Sequence, residues 1–189
     1  MRNLVRSTSL LALFLALVAA GCNQSQLCLN SGNGSDNFTY ASVAHTEGSG
    51  GTDSTGASGF CKPYVGAAQD TQAGSPTNGM RVVTYFETVG TKDTHNAFIA
   101  FDPAVHATGT NAIGPTTTTL IVQSTDAGAT CVAATGSVNF TSTGAADGGV
   151  VSGTYTVDTW LLVSGTGSCP AAASAQAFSA TRSDSTAGL

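Results

Sequence analysis

Three histidines with carboxylates close by are the residues whose chemistry is most obvious in this chain: His45, His95 and His106. An imidazole beside a carboxylate can hold a metal ion or pass a proton. Asp93 precedes His95, Asp102 precedes His106, and Glu47 follows His45. The segment between the first two pairs, Asn96–Phe101, reads as a strand, and at about 3.3 Å per residue it separates them by roughly 20 Å. On that reckoning they share neither a metal nor a proton, although His45 can in principle reach one of them. The expectation is three solvated loop histidines, with no metal and no cofactor. Lys92, Asp93, His95, Asp102 and His106 then become contact residues on two connections, 91–95 and 102–115. Such loops carry binding groups more often than strands do, so the chain is expected to bind and not to catalyse.

Other catalytic patterns are thin. The nearest approach to a nucleophile elbow, Gly56-Ala57-Ser58-Gly59-Phe60, misses the final glycine and sits in low-complexity sequence. No phosphate-cradling glycine loop opens a helix, because no helical periodicity is visible. Five cysteines, Cys22, Cys28, Cys61, Cys131 and Cys169, include no pair at the C-x₂₋₄-C spacing of tetrahedral zinc. An odd number also requires that one thiol be accounted for separately.

The elements that must position these groups are short and alternating. Strands are predicted at about Asn37–Ala44, Met80–Val89, Asn96–Phe101, Thr117–Gln123, Thr130–Ala134, Ser137–Thr143, Val150–Val163 and Gln176–Arg182. Val138 and Phe140, then Val151, Tyr155 and Val157, give one apolar face; Asp147-Gly148 supplies the turn between them. The run Trp160-Leu161-Leu162-Val163 suggests burial on both faces. The fold class is therefore all-β, an antiparallel two-sheet sandwich, with an open β-barrel as the alternative. The stretch 46–59, with five glycines and no apolar run, reads as a disordered excursion.

The N-terminus has its own grammar. Arg2 and Arg6 precede an apolar run from Leu10 to Ala20, which is shorter than the roughly 20 residues a spanning helix needs. This is the order of a secretory signal. It ends in Leu17-Val18-Ala19-Ala20-Gly21-Cys22, which resembles the lipobox of bacterial lipoproteins, with Ala19 where the family prefers Leu. The resemblance implies cleavage after residue 21 and a lipid-modified Cys22. It divides the chain into a signal (1–21), an anchor and tether (22–36) and one β ectodomain (37–189). Asn23 after the cysteine is similar to the pattern of lipoproteins sent to an outer membrane. Four cysteines then remain, an even set suited to disulfides in an exported protein. Three pairings are open, and the sequence-local one, Cys28–Cys61 with Cys131–Cys169, is preferred because each bridge closes a moderate loop.

Removal of the signal leaves four of the six basic residues against eleven acidic ones. Nucleic-acid binding through phosphate neutralisation is excluded, and membrane contact falls to the lipid. The stretches Gly136-Ser137-Val138 with Thr141 and Gly153-Thr154-Tyr155-Thr156-Val157 resemble the hairpin of uncharacterised bacterial lipoproteins with β-sandwich ectodomains. That likeness implies a structural or interaction role at the envelope, with a protein or glycan partner. The same hairpin is similar to that of avidin-type biotin binders, which implies Ser137 and Tyr155 as ligand-facing groups of a small-molecule or glycan-binding module. Metal-dependent hydrolysis is the last reading.

Overall fold

The computed structural model describes residues 35–46, 64–71, 73–74, 77–89, 93–114, 117, 119–124 and 128–184. They form ten strands: β1 (Asn37–Tyr40), β2 (Val43–Thr46), β3 (Tyr64–Gln69), β4 (Arg81–Val89), β5 (Asp93–Phe101), β6 (Gly109–Ile113), β7 (Thr119–Ser124), β8 (Thr130–Thr143), β9 (Val150–Ser164) and β10 (Ala173–Thr181). The expected two sheets are one. Strand order is β2-β1-β10-β9-β8-β7-β5-β4-β3, with β6 continuing the edge of β8 beyond β7.

The sheet curls until its two ends nearly meet, which makes the architecture the barrel-like alternative and corrects the sandwich. A single parallel bridge, Ala67 to Arg182, joins β3 to the end of β10. Ser183 N donates to the Ala67 carbonyl at 2.8 Å, and Gln69 N donates to Asp184 Oδ1 at 3.1 Å. Elsewhere along this seam, side chains close what backbone pairing leaves open.

Alternation decides which residues fill the interior, because successive side chains of a strand point to opposite faces. Val83 and Tyr85, Ala97, Ile99 and Phe101, Val138 and Phe140, Val151, Tyr155 and Val157, and Phe178 and Ala180 form one buried cluster with Phe38. The interior is packed with rings: Phe38 stacks on Tyr85 at 5.5 Å, and Phe101 lies 4.2 Å from Phe140. Val82, Phe86, Ala100, Val122 and Val132, of the opposite parity, are buried too.

Several boundaries differ from expectation for identifiable reasons. The predicted strand 37–44 is a hairpin broken at Ala41 and Ser42, whose φ values of 48° and 68° reverse the chain. The two strands predicted on either side of Thr135 are one, β8, carried past a register irregularity at Ala133–Gly136. Its Gly136 admits the close approach of β9, since a Cβ there would lie 2.2 Å from the Thr156 carbonyl oxygen. β3 and β6 were not predicted at all. The run at Trp160 is also corrected: Leu161 and Leu162 are 45% and 44% exposed, because β10 pairs with β9 only as far as Val157. Of the predicted loop 46–59, Thr46 belongs to β2 and the rest lies outside the described residues.

Candidate functional site: a histidine–carboxylate cluster in the barrel

Antiparallel order divides the chemistry between two ends. One end collects the finish of β4, the start of β5, the finish of β7, the start of β8, the finish of β9 and the start of β10. Around it stand Glu87, His95, Gln123, Cys131 and Gln176, with Tyr40 and His45 contributed by the β1–β2 hairpin.

Glu87 is the centre. It sits directly opposite His95 in the β4–β5 ladder. Its Oε2 is 2.6 Å from the Tyr85 hydroxyl, which donates to it, 3.2 Å from His45 Nδ1 and 3.7 Å from His95 Nδ1. All three cluster side chains are only 16–19% exposed. Tyr40 stacks on His95 at 4.8 Å, and Tyr85 lies 5.0 Å from His45. The His95 imidazole beside it favours the ionised carboxylate and holds Glu87 below its ordinary value, against burial, with the Tyr85 hydrogen bond and His45 adding to the effect. His45 is pushed below 6.5 mainly by burial; Glu87 opposes this and His95 reinforces it. A fixed carboxylate thus orients two imidazoles around it.

A second polar layer lies beside this one. The Tyr155 hydroxyl donates to the Thr39 carbonyl at 2.6 Å, receives a bond from Gln123 Nε2 at 3.0 Å and lies 3.3 Å from Gln176 Oε1. Gln176 Oε1 also accepts from Ser42 N at 3.2 Å, and the Tyr40 hydroxyl donates to the Ser124 carbonyl. Burial of its hydroxyl drives the Tyr155 pKa upward. The groups that close the hairpin onto the barrel are therefore the groups that line this end.

His95 is not a loop residue: β5 begins at Asp93. The spacing argument does separate His95 from His106, which lie toward opposite ends of β5. It left His45 able to reach one of them, and His45 does meet His95 across the seam on Glu87, which corrects the expectation of solvated loop histidines. His106 is not solvated either. It is 9% exposed, with Nδ1 2.8 Å from Asn111 Oδ1 and Nε2 3.0 Å from Thr119 Oγ1. Asp102 builds the turn before it, its Oδ1 accepting from Ala104 N at 2.8 Å. His106 thus ties its turn to Asn111 of β6 and Thr119 of β7 at the far end of the barrel, and Asp102 shapes that turn. Lys92 lies outside the described residues, as do Cys22, Cys28 and Cys61.

The avidin-like assignment also fails on geometry. Val138, not Ser137, pairs with Tyr155, so Ser137 projects outward while Tyr155 is buried inside. Among the described residues, no group of three or more His, Cys, Asp and Glu side chains is arranged to hold a metal ion. Glu87 was missed by reasoning from loops. Its signal was parity: in Arg81–Val89, Val83, Tyr85 and Glu87 share a face, so an acid stands on the inward side of an apolar strand.

Cys131 and Cys169 are bonded, with Cα atoms 5.7 Å apart. The bridge ties the connection between β9 and β10 to the same end of the barrel. Comparison of the chain with family models, curated proteins and solved structures gives no match.

Proposed function

We propose that the chain is a lipid-anchored protein of a bacterial cell envelope whose barrel serves binding or structural contacts. The observation that carries this reading is the Cys131–Cys169 bridge. A disulfide of this kind persists in an exported compartment, where the basic, apolar, small-residue order before Cys22 would send the chain. With lipid on Cys22 and a second bridge between Cys28 and Cys61, every thiol is accounted for. The test is fractionation of cells producing Cys22→Ala: the variant should leave the membrane fraction and appear as soluble exported protein. Continued sedimentation with membranes refutes the lipid anchor. In a cell with two membranes, the unsubstituted chain should fractionate with the outer one.

A second reading is favoured by the convergence of His45 and His95 on Glu87. A carboxylate and two imidazoles beside tyrosine rings suit a small molecule rich in hydroxyl or amine groups, such as a sugar. Thermal-shift titration with mono- and oligosaccharides and simple amines should raise the melting temperature of the unsubstituted chain. The shift should vanish in the double variant His45→Gln, His95→Gln. No shift with any of these compounds removes the reading.

A further inference from the structure

The β1–β2 hairpin closes the polar end of the barrel, and its hold on the sheet is uneven. At its base Asp36 fastens the chain, its carboxylate accepting from Thr181 N at 2.7 Å and from Thr181 Oγ1 at 2.9 Å. Phe38, fully buried, pairs with Phe178 and stacks on Tyr85. Beyond Phe38 the backbone ladder to β10 stops. Among the described residues β2 is the terminal strand of the sheet, paired with β1 alone. From Thr39 onward the hairpin lies on the barrel through individual hydrogen bonds, ring contacts and the ion pair of His45 with Glu87.

That ion pair has a charge count which balances for one proton and not for two. Glu87 offers one negative charge, and both imidazoles address the same oxygen, His45 Nδ1 at 3.2 Å and His95 Nδ1 at 3.7 Å. The other titratable groups facing His45 are Tyr85 of β4 and Tyr40 of β1. Both are phenols, uncharged at any pH where an imidazole titrates, so they supply no second counter-charge. Tyr40 stacks on His95 at 4.8 Å, and its ring face favours a cation there. A first proton is thus directed to His95, and the surplus one falls on His45. The two imidazoles belong to different elements, β2 and β5, so their repulsion acts across the contact between hairpin and wall. Both side chains are largely withdrawn from water, where an unmatched charge is most costly.

We propose that the hairpin is an acid-operated latch: a second proton on the imidazole pair swings β2 and the tip of β1 outward about Phe38 and uncovers Tyr85, Glu87 and His95. Swung out, His45 meets water and takes a proton near pH 6.5; in place, burial resists that proton. The open form therefore binds more protons than the closed one, and opening is favoured as pH falls below 6.5. Glu87, held below 4.5, stays ionised through the upper part of that fall. What is uncovered is the carboxylate–imidazole site read above as a small-molecule site. The latch rests on that reading for what it admits, whereas the opening itself needs no ligand.

Spin labels on exposed positions test the latch in the full chain, with no ligand added. Val43→Cys on the hairpin and Val105→Cys at the far end, 57% and 63% exposed, report the swing by pulsed electron double resonance. Leu162→Cys with Val105→Cys leaves the hairpin out and reports the barrel. At pH 7.5 the hairpin pair should give a single distance. Between pH 6.5 and pH 5 a second distance should appear, its population relative to the first rising by up to about tenfold per pH unit for one proton taken up. The barrel pair should stay unchanged. His45→Gln, which does not titrate, should remove the second population at pH 5. A single distance persisting to pH 5 overturns the proposal, as does an open population that is equal at both pH values or survives in His45→Gln. A barrel pair that changes together with the hairpin pair signals general unfolding and overturns it as well. Failure of every ligand titration beside an acid-grown open population removes the binding reading and leaves the latch.

Discussion

At the scale of residues, the informative feature is a carboxylate that three side chains hold in place. Its effect on stability has a definite sign. The unfolded chain protonates His45 near 6.5, whereas the folded chain, which buries the imidazole, resists until lower pH. The unfolded state therefore binds more protons on acidification, so the stabilising contribution is complete above 6.5 and is lost as pH falls below it. Glu87, depressed from 4.5, contributes above 4.5 and loses its contribution as pH drops further, through its own lower value. Thermal melts should accordingly show the melting temperature starting to fall just below pH 6.5, ahead of general carboxylate protonation. Histidine ring resonances followed by NMR should place His45 below the ordinary value. Glu87→Gln should lower it again, because the attraction that opposes burial is removed. A His45 that titrates at or above 6.5 contradicts the account. The three histidines also show why residue type alone misleads. His106 resembles His95 in the sequence, yet Asn111 and Thr119 occupy both of its ring nitrogens.

At the scale of elements, the β1–β2 hairpin carries the most weight for its size. It joins the sheet through only two residue pairs, Asn37 with Ser179 and Phe38 with Phe178. Its remaining attachments run through Tyr40, Ser42, His45 and the Thr39 carbonyl, all at the polar end of the barrel. The turn that makes this possible is poorly suited to its sequence. Both Ala41 and Ser42 have positive φ, a conformation that costs an ordinary L-residue roughly 1–2 kcal/mol. Asn-Gly is the pair that such a two-residue turn prefers. The double substitution Ala41→Asn, Ser42→Gly should therefore stabilise the protein by about 1 kcal/mol in urea unfolding, part of the relief being offset by the entropy of the new glycine. Destabilisation would mean that the two side chains make contacts worth more than the strain. Predicting one strand across 37–44 overlooked this turn because neither residue is a glycine or asparagine, the types that favour positive φ. By contrast, the β8–β9 hairpin was legible, since Asp147-Gly148 sits between two alternating runs and Gly148 takes the positive φ of 77° foreseen for it.

At the scale of the whole molecule, a single curled sheet must keep its seam and its rim in register. The Cys131–Cys169 bridge spans 38 residues of sequence and anchors the β9–β10 connection to the start of β8. Cys131→Ala combined with Cys169→Ala should cost about 2–4 kcal/mol, the usual contribution of a bridge closing a loop of this order. Denaturant unfolding with and without reductant measures it, and an unchanged midpoint would show that the connection is held by other contacts. The sequence by itself determined the all-β class and the inward face of the β8–β9 hairpin, and it favoured Cys131–Cys169 among three open pairings. Period-two alternation fixes which side of a strand is apolar, and a sequence-local bridge needs little knowledge of the fold. Only the tertiary structure decided that there is one sheet and not two, that Leu161 and Leu162 stand uncovered, and that His45 meets His95 on Glu87. Each of these depends on which strands become neighbours. Alternation within a strand carries no record of its partners, so residues 42 and 50 positions apart meet through the curl of the sheet, and the chain's local pattern is silent about it.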